Sequence, residues 1–547
     1  MLWQKQTNGI YVNICQEDLE ERIFERTQFT FGIPSAPKKS NDRSVAFRKL
    51  GNIQFANKQW LHAIKSYNLS LCFAETGTEH ISLAYGNRSA CFLQLNMFDE
   101  CIADIELAIK ADFPARLLPK LEKRKAHCLE QIQNDVGRSD EFKCQLSFEE
   151  NPNYPGMANV LKLEVSEKYG RQITATSDIG TGKFLIAEKA FLTKSDGKCN
   201  RCDTCWKSNV NLVPCSRCSD ALFCSQCKEN SQCHNIQCGM RVVDNESIND
   251  QQMQLVRSLL MGIFEFPNVE MLRQFVEQAV QSDPNEIPES LRDTKAKYRA
   301  FLKLSFDRKT MLKESFPTQI CFVYKTFLNH RAIRPKFSTK QHRRFLMHLI
   351  GHHLCVVQCN TGALMYNAES PFSISQAMTE NLSPIVSYIN HSCVPNLCII
   401  ACDDRNVCIS LRPIKTGDQL FVTYFRNDSL KHCTADRQKF LRDICEFDCD
   451  CERCVVTSTV PQELIDELKM DVRYQYVRKY GRTNGCCGRD ARVLYLCSCS
   501  KTFGRDAKKI RDNCVPLLDK FGQIKCAPEL DLIAKSLEDV LIDQFEH

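Results

Sequence analysis

At 547 residues the chain is too long for one hydrophobic core and suggests three or four modules. With 43% apolar and 25% charged residues, and no run of about eighteen apolar residues, it reads as a soluble globular protein without a membrane span, and a net charge of +6 is too small by itself to indicate nucleic-acid binding. Its 33 cysteines are odd in number and often paired as C-x-x-C, which points to zinc in a reducing compartment rather than to a secreted disulfide scaffold.

The first residues, Met1-Leu2-Trp3-Gln4-Lys5, lack a basic-then-apolar signal pattern, so the protein is expected inside the cell, in cytoplasm and nucleus. Residues 1–40 end in Pro34-Ser35-Ala36-Pro37-Lys38-Lys39-Ser40 and read as a tail and linker. From Ser44 to about Gln133 apolar residues recur at helical spacing (Phe47, Leu50; Leu61, Ile64, Tyr67, Leu71), which predicts five or six helices over residues 41–134. Phe47, Leu50, Gly51, Ala63, Tyr67 and Ser70 fall where a tetratricopeptide repeat alternates bulky and small residues. A shifted second copy runs through Tyr85, Ser89, Phe92, Cys101, Ile105 and Ala108; the alternative is a bundle without repeats.

Arg48 and Asn52 are four apart on one helix, Lys120 and Arg124 repeat that spacing on a later one, and Asn87 lies between them. These five resemble the two-carboxylate clamp of chaperone-binding tetratricopeptide domains, which implies a grip on the acidic C-terminal tail of a cytosolic chaperone. The alternative is a set of solvated or groove-lining side chains without a ligand.

Residues 150–198 switch to strand period at Leu161, Leu163, Val165, Ile173, Phe184 and Ile186, with a turn at Thr181-Gly182. Cysteines then crowd into residues 199–240 as Cys202-x-x-Cys205, Cys215-x-x-Cys218, Cys224-x-x-Cys227 and His234-x-x-x-Cys238, eight ligands for two tetrahedral zinc ions. The pattern resembles a MYND finger, whose ligand pairs interleave. That implies Cys202, Cys205, Cys224 and Cys227 around one ion and Cys215, Cys218, His234 and Cys238 around the other. The stretch from Cys227 to His234 is short for the family, and Cys233 is a possible substitute ligand. Such fingers can bind proline-rich peptides or serve the fold alone.

Residues 241–350 read as helical, over Leu255 to Phe266, Met271 to Val280 and Phe301 to Leu312. A basic run, Arg331, Arg334, Lys336, Lys340, Arg343 and Arg344, either meets an acidic partner or is a solvated face. Strand character is expected again at Leu354, Val356 and Gln358.

Within residues 351–427 the polar Asn390-His391-Ser392-Cys393 interrupts an apolar run, and Gly417-Asp418 turns into a strand, Leu420, Val422, Tyr424. Residues 428–456 hold Cys449-x-Cys451-x-x-Cys454, three thiolates that need a fourth ligand; Cys393 would close the site and pin this segment against Tyr424. Residues 457–547 are expected to be helical over Pro461 to Tyr480, Asp506 to Lys520 and Glu529 to Phe545, with Cys486, Cys487, Cys497 and Cys499 a candidate further knuckle.

In this order, the tetrad, the tyrosine and the cysteine cluster resemble the SET-domain lysine methyltransferases. A finger and helices inserted between two SET halves resemble the SMYD family, and the N-terminal repeats resemble its tetratricopeptide-bearing branch. The resemblance implies an α+β fold with a β-rich SET core, flanked by N-terminal repeats and a C-terminal helical domain. It also implies S-adenosylmethionine-dependent methylation of protein lysines and three zinc ions in all. Tyr424 would be the catalytic tyrosine; Gly170, Arg171, Asn360, Asn390, His391 and Phe447 would join it in binding the cofactor. Two residues depart from the family: Gln172 stands where a second glycine is usual, and Cys445 where a second tyrosine lines the lysine channel. Those departures favour the alternative, a catalytically weak adaptor that binds partners through its repeats and finger.

Overall fold

The computed structural model describes residues 38–134, 145–195, 201–207, 211–228, 232–238, 250–305, 315–360, 379–402, 404–424, 434–455, 462–480 and 500–521, with a few positions between 530 and 540. Cys486, Cys487, Cys497 and Cys499 lie outside these residues. No described helix is long and apolar enough to cross a membrane.

Five helices open the described chain: α1 (Asn41–Ala56), α2 (Trp60–Phe73), α3 (Glu79–Gln94), α4 (Phe98–Lys110) and α5 (Leu118–Gln133). The Ser40 hydroxyl caps α1 by accepting from the Arg43 N–H. Gly51 lets α2 close on α1, since a Cβ there would lie 2.5 Å from the Tyr67 ring. This is the small-against-large pairing read from the sequence.

Next come two antiparallel hairpin strands, β1 (Leu161–Ser166) and β2 (Gly170–Ala175), followed by β3 (Phe184–Lys189) and β4 (Leu192–Ser195). The finger contributes the hairpin β5 (Leu212–Pro214) and β6 (Leu222–Cys224) and a short helix α6 (Gln232–Gln237). An inserted helical layer follows: α7 (Asp250–Glu265), α8 (Val269–Gln281), α9 (Thr294–Leu302), α10 (Ser315–Asn329) and α11 (Lys340–Asn360). The chain then returns through β7 (Thr379–Leu382), β8 (Asn390–His391), β9 (Leu397–Cys402), β10 (Arg405–Ser410) and β11 (Phe421–Val422).

These returning strands pair with the early ones. β7 lies antiparallel to β4, with Leu192 opposite Leu382, and β10 sits between β3 and β9. β11 runs parallel to β8, Thr174 bridges Gln419, and Ile179 bridges Ile414. Two halves separated by the finger and helices therefore make one core, because neither half alone covers its apolar face. That core continues into α7 to α11. The outer face of β3, β9 and β10 is covered by α13 (Gln462–Met470), α14 (Val472–Tyr480) and α15 (Ser500–Phe521), which follow α12 (Thr434–Phe440).

Three sequence expectations are corrected. The strand expected at Leu354, Val356 and Gln358 is the end of α11: Leu354, Cys355, Val356 and Val357 are all buried, and a short run buried all round carries no period that separates strand from helix. Of the helix expected over Phe301 to Leu312, residues 306–312 lie outside the described residues, and the described part belongs to a helix that starts at Thr294, capped by Asp293, and ends at Leu302. The helix expected over Pro461 to Tyr480 is two helices, broken where Asp471 accepts from the Arg473 N–H and starts the second.

The repeats and the finger share one core, in which Leu71, Tyr85 and Ile105 pack with Leu212, Leu222 and Phe223. At its centre Arg88, fully buried, donates to both Asp104 carboxylate oxygens at 2.7 Å, to Asn68 Oδ1 at 2.6 Å and to the Leu212 carbonyl of β5 at 3.0 Å. From the finger side, Asn211 Nδ2 donates to Asp104 Oδ1 at 2.6 Å. The Arg88→Ala variant strands the Asp104 charge in this core, and urea denaturation of the full chain should report a loss of about 3–5 kcal/mol. A change of less than ~1 kcal/mol, the scale of an exposed pair, would contradict that role.

Candidate active site and metal centres

Asn390 and His391 lie on β8, beside Phe421 and Val422 of β11, so the tetrad and Tyr424 meet across a two-residue parallel pairing. Asn390 Nδ2 donates to the Arg171 carbonyl at 3.0 Å and ties β2 to the tetrad. His391 is buried, and burial pushes its pKa down to about 4, so the ring is neutral. Its Nδ1 accepts from the Tyr424 N–H at 2.9 Å, which leaves the proton on Nε2, 3.4 Å from Cys393 Sγ. The Tyr424 hydroxyl donates to the Ile389 carbonyl at 3.0 Å. Burial raises its pKa, with the nearby Cys445 and Cys359 thiols adding to the effect, so the phenol stays protonated at neutral pH.

Phe447 completes this wall. Its ring centroid is 6.0 Å from His391 and 6.5 Å from Tyr424, edge-on to the latter. It arrives there because the chain after α12 tightens into a π-helical turn over Leu441–Cys445 and then reverses at Glu446, which adopts φ +60°. Cys445 sits at the end of that turn, packed with Phe440 and Phe447.

On the opposite side, Gly170 opens β2 with φ +65°, and an added Cβ would come within 3.1 Å of Asn285 Oδ1. Gln172 turns its amide onto Glu164 Oε1 at 3.1 Å. Arg171 and Asn360 dock on one turn: Arg171 Nη2 donates to the Lys303 carbonyl at 2.8 Å and Asn360 Nδ2 to that of Ser305 at 2.7 Å. The buried Glu188 carboxylate accepts the backbone N–H groups of Ile385 and Val386 at 3.1 and 3.0 Å, fixing the turn before the tetrad.

Three sets of four metal-ligand atoms converge, each within 4.8 Å: Cys202, Cys205, Cys224 and Cys227; Cys215, Cys218, His234 and Cys238; Cys393, Cys449, Cys451 and Cys454. Sulfur separations of 3.7 Å (Cys205 to Cys224), 3.9 Å (Cys215 to Cys238) and 3.6 Å (Cys393 to Cys454) suit tetrahedral zinc, for which Zn–S bonds of about 2.3 Å give edges near ~3.8 Å. All three donor sets are thiolate or thiolate–imidazole, the ligands that favour zinc over calcium or magnesium. His234 turns Nε2 toward Cys215 and Nδ1 toward Asp203 Oδ2 at 3.5 Å; Asp203 in turn pairs with Arg257 of α7 at 2.9 Å.

Spacing alone missed these supports. Asp203, Arg257 and the His391 relay carry no local motif, and Arg437, whose Nη2 lies 3.7 Å from Cys454 Sγ, precedes its cluster by many residues of unremarkable sequence.

The proposed clamp residues stand on three helices. Asn52 Oδ1 accepts from Tyr67 Oη at 2.9 Å and from Asn87 Nδ2 at 2.8 Å, while Arg124 Nη1 donates to the Gly86 carbonyl at 2.7 Å and to Ser89 Oγ at 2.5 Å. Lys120 is exposed, and Arg48 Nε is buried without a partner.

Elemental analysis of the purified chain should return three zinc ions; two would mean that a site of the shortened finger is not filled, and four would implicate the late cysteines. A SET-domain family model matches residues 170–425, from the start of β2 to just past Tyr424. Among curated proteins, Protein-lysine N-methyltransferase SMYD4 of Danio rerio is 26% identical over 251 residues, 41% of this chain and 32% of that protein. Its Mus musculus counterpart is 22% identical over 541 residues, 76% of this chain and 67% of that protein. N-lysine methyltransferase SMYD2 of Homo sapiens is 21% identical over 309 residues, covering 56% and 61% of the two. The chain thus spans from about a third to two-thirds of the length of these relatives. A SET-domain core that threads its strands around an inserted, MYND-type set of metal ligands, together with these relatives, makes the chain similar to the SET and MYND domain proteins.

Proposed function

We propose that the chain is a protein-lysine N-methyltransferase that uses S-adenosylmethionine. The observation that carries this reading is the fixed Tyr424 hydroxyl, held beside the tetrad by its own bond to Ile389 and by the His391 hydrogen bond to its backbone. When bound, S-adenosylmethionine supplies an electrophilic methyl group on a sulfonium.

The protein has three tasks. It must orient the donor, admit a lysine amine, and strip that amine of its proton, since a free lysine has a pKa of about 10.4. Gly170, Arg171, Asn360, Asn390, His391 and Phe447 would hold the donor. The site fits it in that Gly170 holds the backbone at φ +65°, a conformation side chains rarely adopt, at the entry to β2, and Asn390 Nδ2 ties that strand to the tetrad. Phe447, His391 and Tyr424 make a largely apolar wall, which disfavours an ammonium and favours the neutral amine. Because Tyr424 donates its proton to Ile389, its oxygen lone pairs remain available to accept an N–H and aim the nitrogen.

The adaptor reading rests on Gln172 and Cys445. Gln172 is engaged with Glu164 and does not obstruct the site, which supports the enzyme reading. Docking of proline-rich peptides on the finger has less support: the Leu212 carbonyl of its hairpin already accepts from Arg88, and that of Leu222 from the Asp203 N–H. The repeats are the better candidate for a partner. Exposed Lys120 and the Asn52–Asn87 pair suit the acidic C-terminal tail of a cytosolic chaperone, and a location in cytoplasm and nucleus is proposed with that reading.

Tyr424→Phe should lower methyl transfer at least about tenfold, roughly 1.4 kcal/mol of barrier, while S-adenosylmethionine affinity stays near wild type. Unchanged turnover would remove Tyr424 from the mechanism. For the repeats, a peptide ending in Glu-Glu-Val-Asp should bind the full chain, and C-terminal amidation or Lys120→Ala with Arg124→Ala should abolish binding. Binding that survives both changes would rule out the clamp.

A further inference from the structure

The basic run forms a face that the fold leaves without counter-charge. No Asp or Glu occurs between Glu314 and Glu369, and six Lys or Arg fall within residues 331–344. They lie on the turn between α10 and α11 and on the start of α11, where buried Ile333, Phe337 and Phe345 anchor the segment. Arg331, Arg334, Lys340 and Arg343 are exposed, and neither they nor Lys336 has a carboxylate partner among the described residues. Lys336 Nζ lies 5.1 Å from the ring centroid of Phe264, an aromatic that is itself 40% exposed. Glu270 of α8, near His342, is held by Arg273 at 2.6 Å and does not neutralise the face. Like charges crowded in this way repel one another.

The chain carries the complement. Residues 17–25, which lie outside the described residues, contain five carboxylates against one Arg, interspersed with Leu19, Ile23 and Phe24. The path from there to the basic face is short. The Ser40 N–H donates to the Phe73 carbonyl at 2.7 Å, Asn41 Nδ2 to Glu75 Oε2 at 2.9 Å, and Thr76 Oγ1 to the Ser216 carbonyl of the finger at 3.2 Å. Across the finger, Arg217 donates to Asn235 Oδ1 of α6 at 2.8 Å, and the backbone of Ile236 lies within hydrogen-bonding reach of His330, the residue before Arg331. Only the finger therefore stands between residue 40 and the face. A unit of its size is about 20–25 Å across. Residues 26–37 span about 40 Å when extended, enough to carry residues 17–25 past it.

We infer that the acidic residues 17–25 dock within the same chain on the basic face at 331–344, carboxylates against the cations and apolar side chains against Phe264. The inference goes beyond the methyltransferase reading and stands without it. Exposed ion pairs are individually weak, but a tether of this length holds the segment at an effective concentration on the order of millimolar, where several weak pairs suffice. The apolar residues among the carboxylates match a face that presents an exposed ring as well as charge, which phosphate groups alone do not. Docked there, the segment covers the junction of finger and helical layer, and an acidic partner reaches the face only by displacing it.

The test is zero-length cross-linking of the full chain with a carbodiimide, which joins a carboxylate to a lysine amine as an amide with loss of water, followed by peptide mass spectrometry. Amides from residues 17–25 to Lys336 or Lys340 should form at low salt and fall at least about fivefold in about 0.5 M sodium chloride, where exposed charges are screened. The combined variant Arg331→Glu, Arg334→Glu, Arg343→Glu keeps both lysines and should lower the same links at least about tenfold, since like charges then face each other. Zinc content and circular dichroism matching wild type establish that it is folded. An equal mixture of unlabelled and nitrogen-15 chains should show the links within single chains. The Lys415–Asp178 and Lys520–Glu467 pairs, at 2.8 and 2.7 Å, serve as internal controls. If these cross-link while Lys336 and Lys340 do not, the docking is overturned. Links chiefly to Lys120 would place the segment in the groove of the repeats, and links only between labelled and unlabelled chains would make the face a contact between copies; either result contradicts the inference. Retention of duplex DNA by the wild type, lost in the variant, would assign the face to nucleic acid instead.

Discussion

A neutral His391, gripped on one side by a thiolate sulfur and on the other by a backbone N–H, is the constraint on which the site depends. Cys393 Sγ fixes the ring through Nε2, and Nδ1 fixes Tyr424 through its amide. A metal held by the four cysteines would fix Cys393, whose sulfur would accept from the Nε2–H that the Tyr424 N–H imposes on His391, and the strand carrying Tyr424 keeps its register against β8. Arg437, close to the Cys454 sulfur, offsets part of the negative charge that four thiolates bring. The same cluster sets Phe447 against His391, because only Asp448 separates Phe447 from Cys449.

A second constraint lies far from the tyrosine. A two-stranded hairpin of three residues each has too little apolar surface to fold alone, so the finger borrows a core from its neighbours. The repeats give it Leu71, Tyr85 and Ile105 and the Arg88 hydrogen bond; the inserted helix α7 gives it Arg257, through Asp203 and His234. The finger is therefore the joint between the repeats and the helical layer that packs on the SET core. Metal binding there stabilises an interface as well as a local loop.

Much of this was legible in the sequence, for identifiable reasons. Short spacings mark the paired cysteines as metal ligands, whereas the interleaved grouping in the finger is legible only through the resemblance to a MYND finger, and Cys393 only through the tetrad it belongs to. Strands such as β1 carry a legible period of two, whereas the end of α11 is buried all round and its apolar run carries no period that tells helix from strand. Contacts between residues distant in the chain left no local trace. Asn390 with Arg171, Arg88 with Leu212 and Arg171 with Tyr388 each depend on chain folding that no period or spacing encodes.

The central claim is that this geometry transfers a methyl group to lysine nitrogen. It is tested most directly by incubating the purified chain with a cell extract and S-adenosylmethionine carrying a deuterated methyl group, then locating the label by peptide mass spectrometry. The account predicts deuteromethyl groups on lysine Nζ of a limited set of proteins. Label confined to arginine or cysteine side chains, or no label above that of the extract alone, would contradict it.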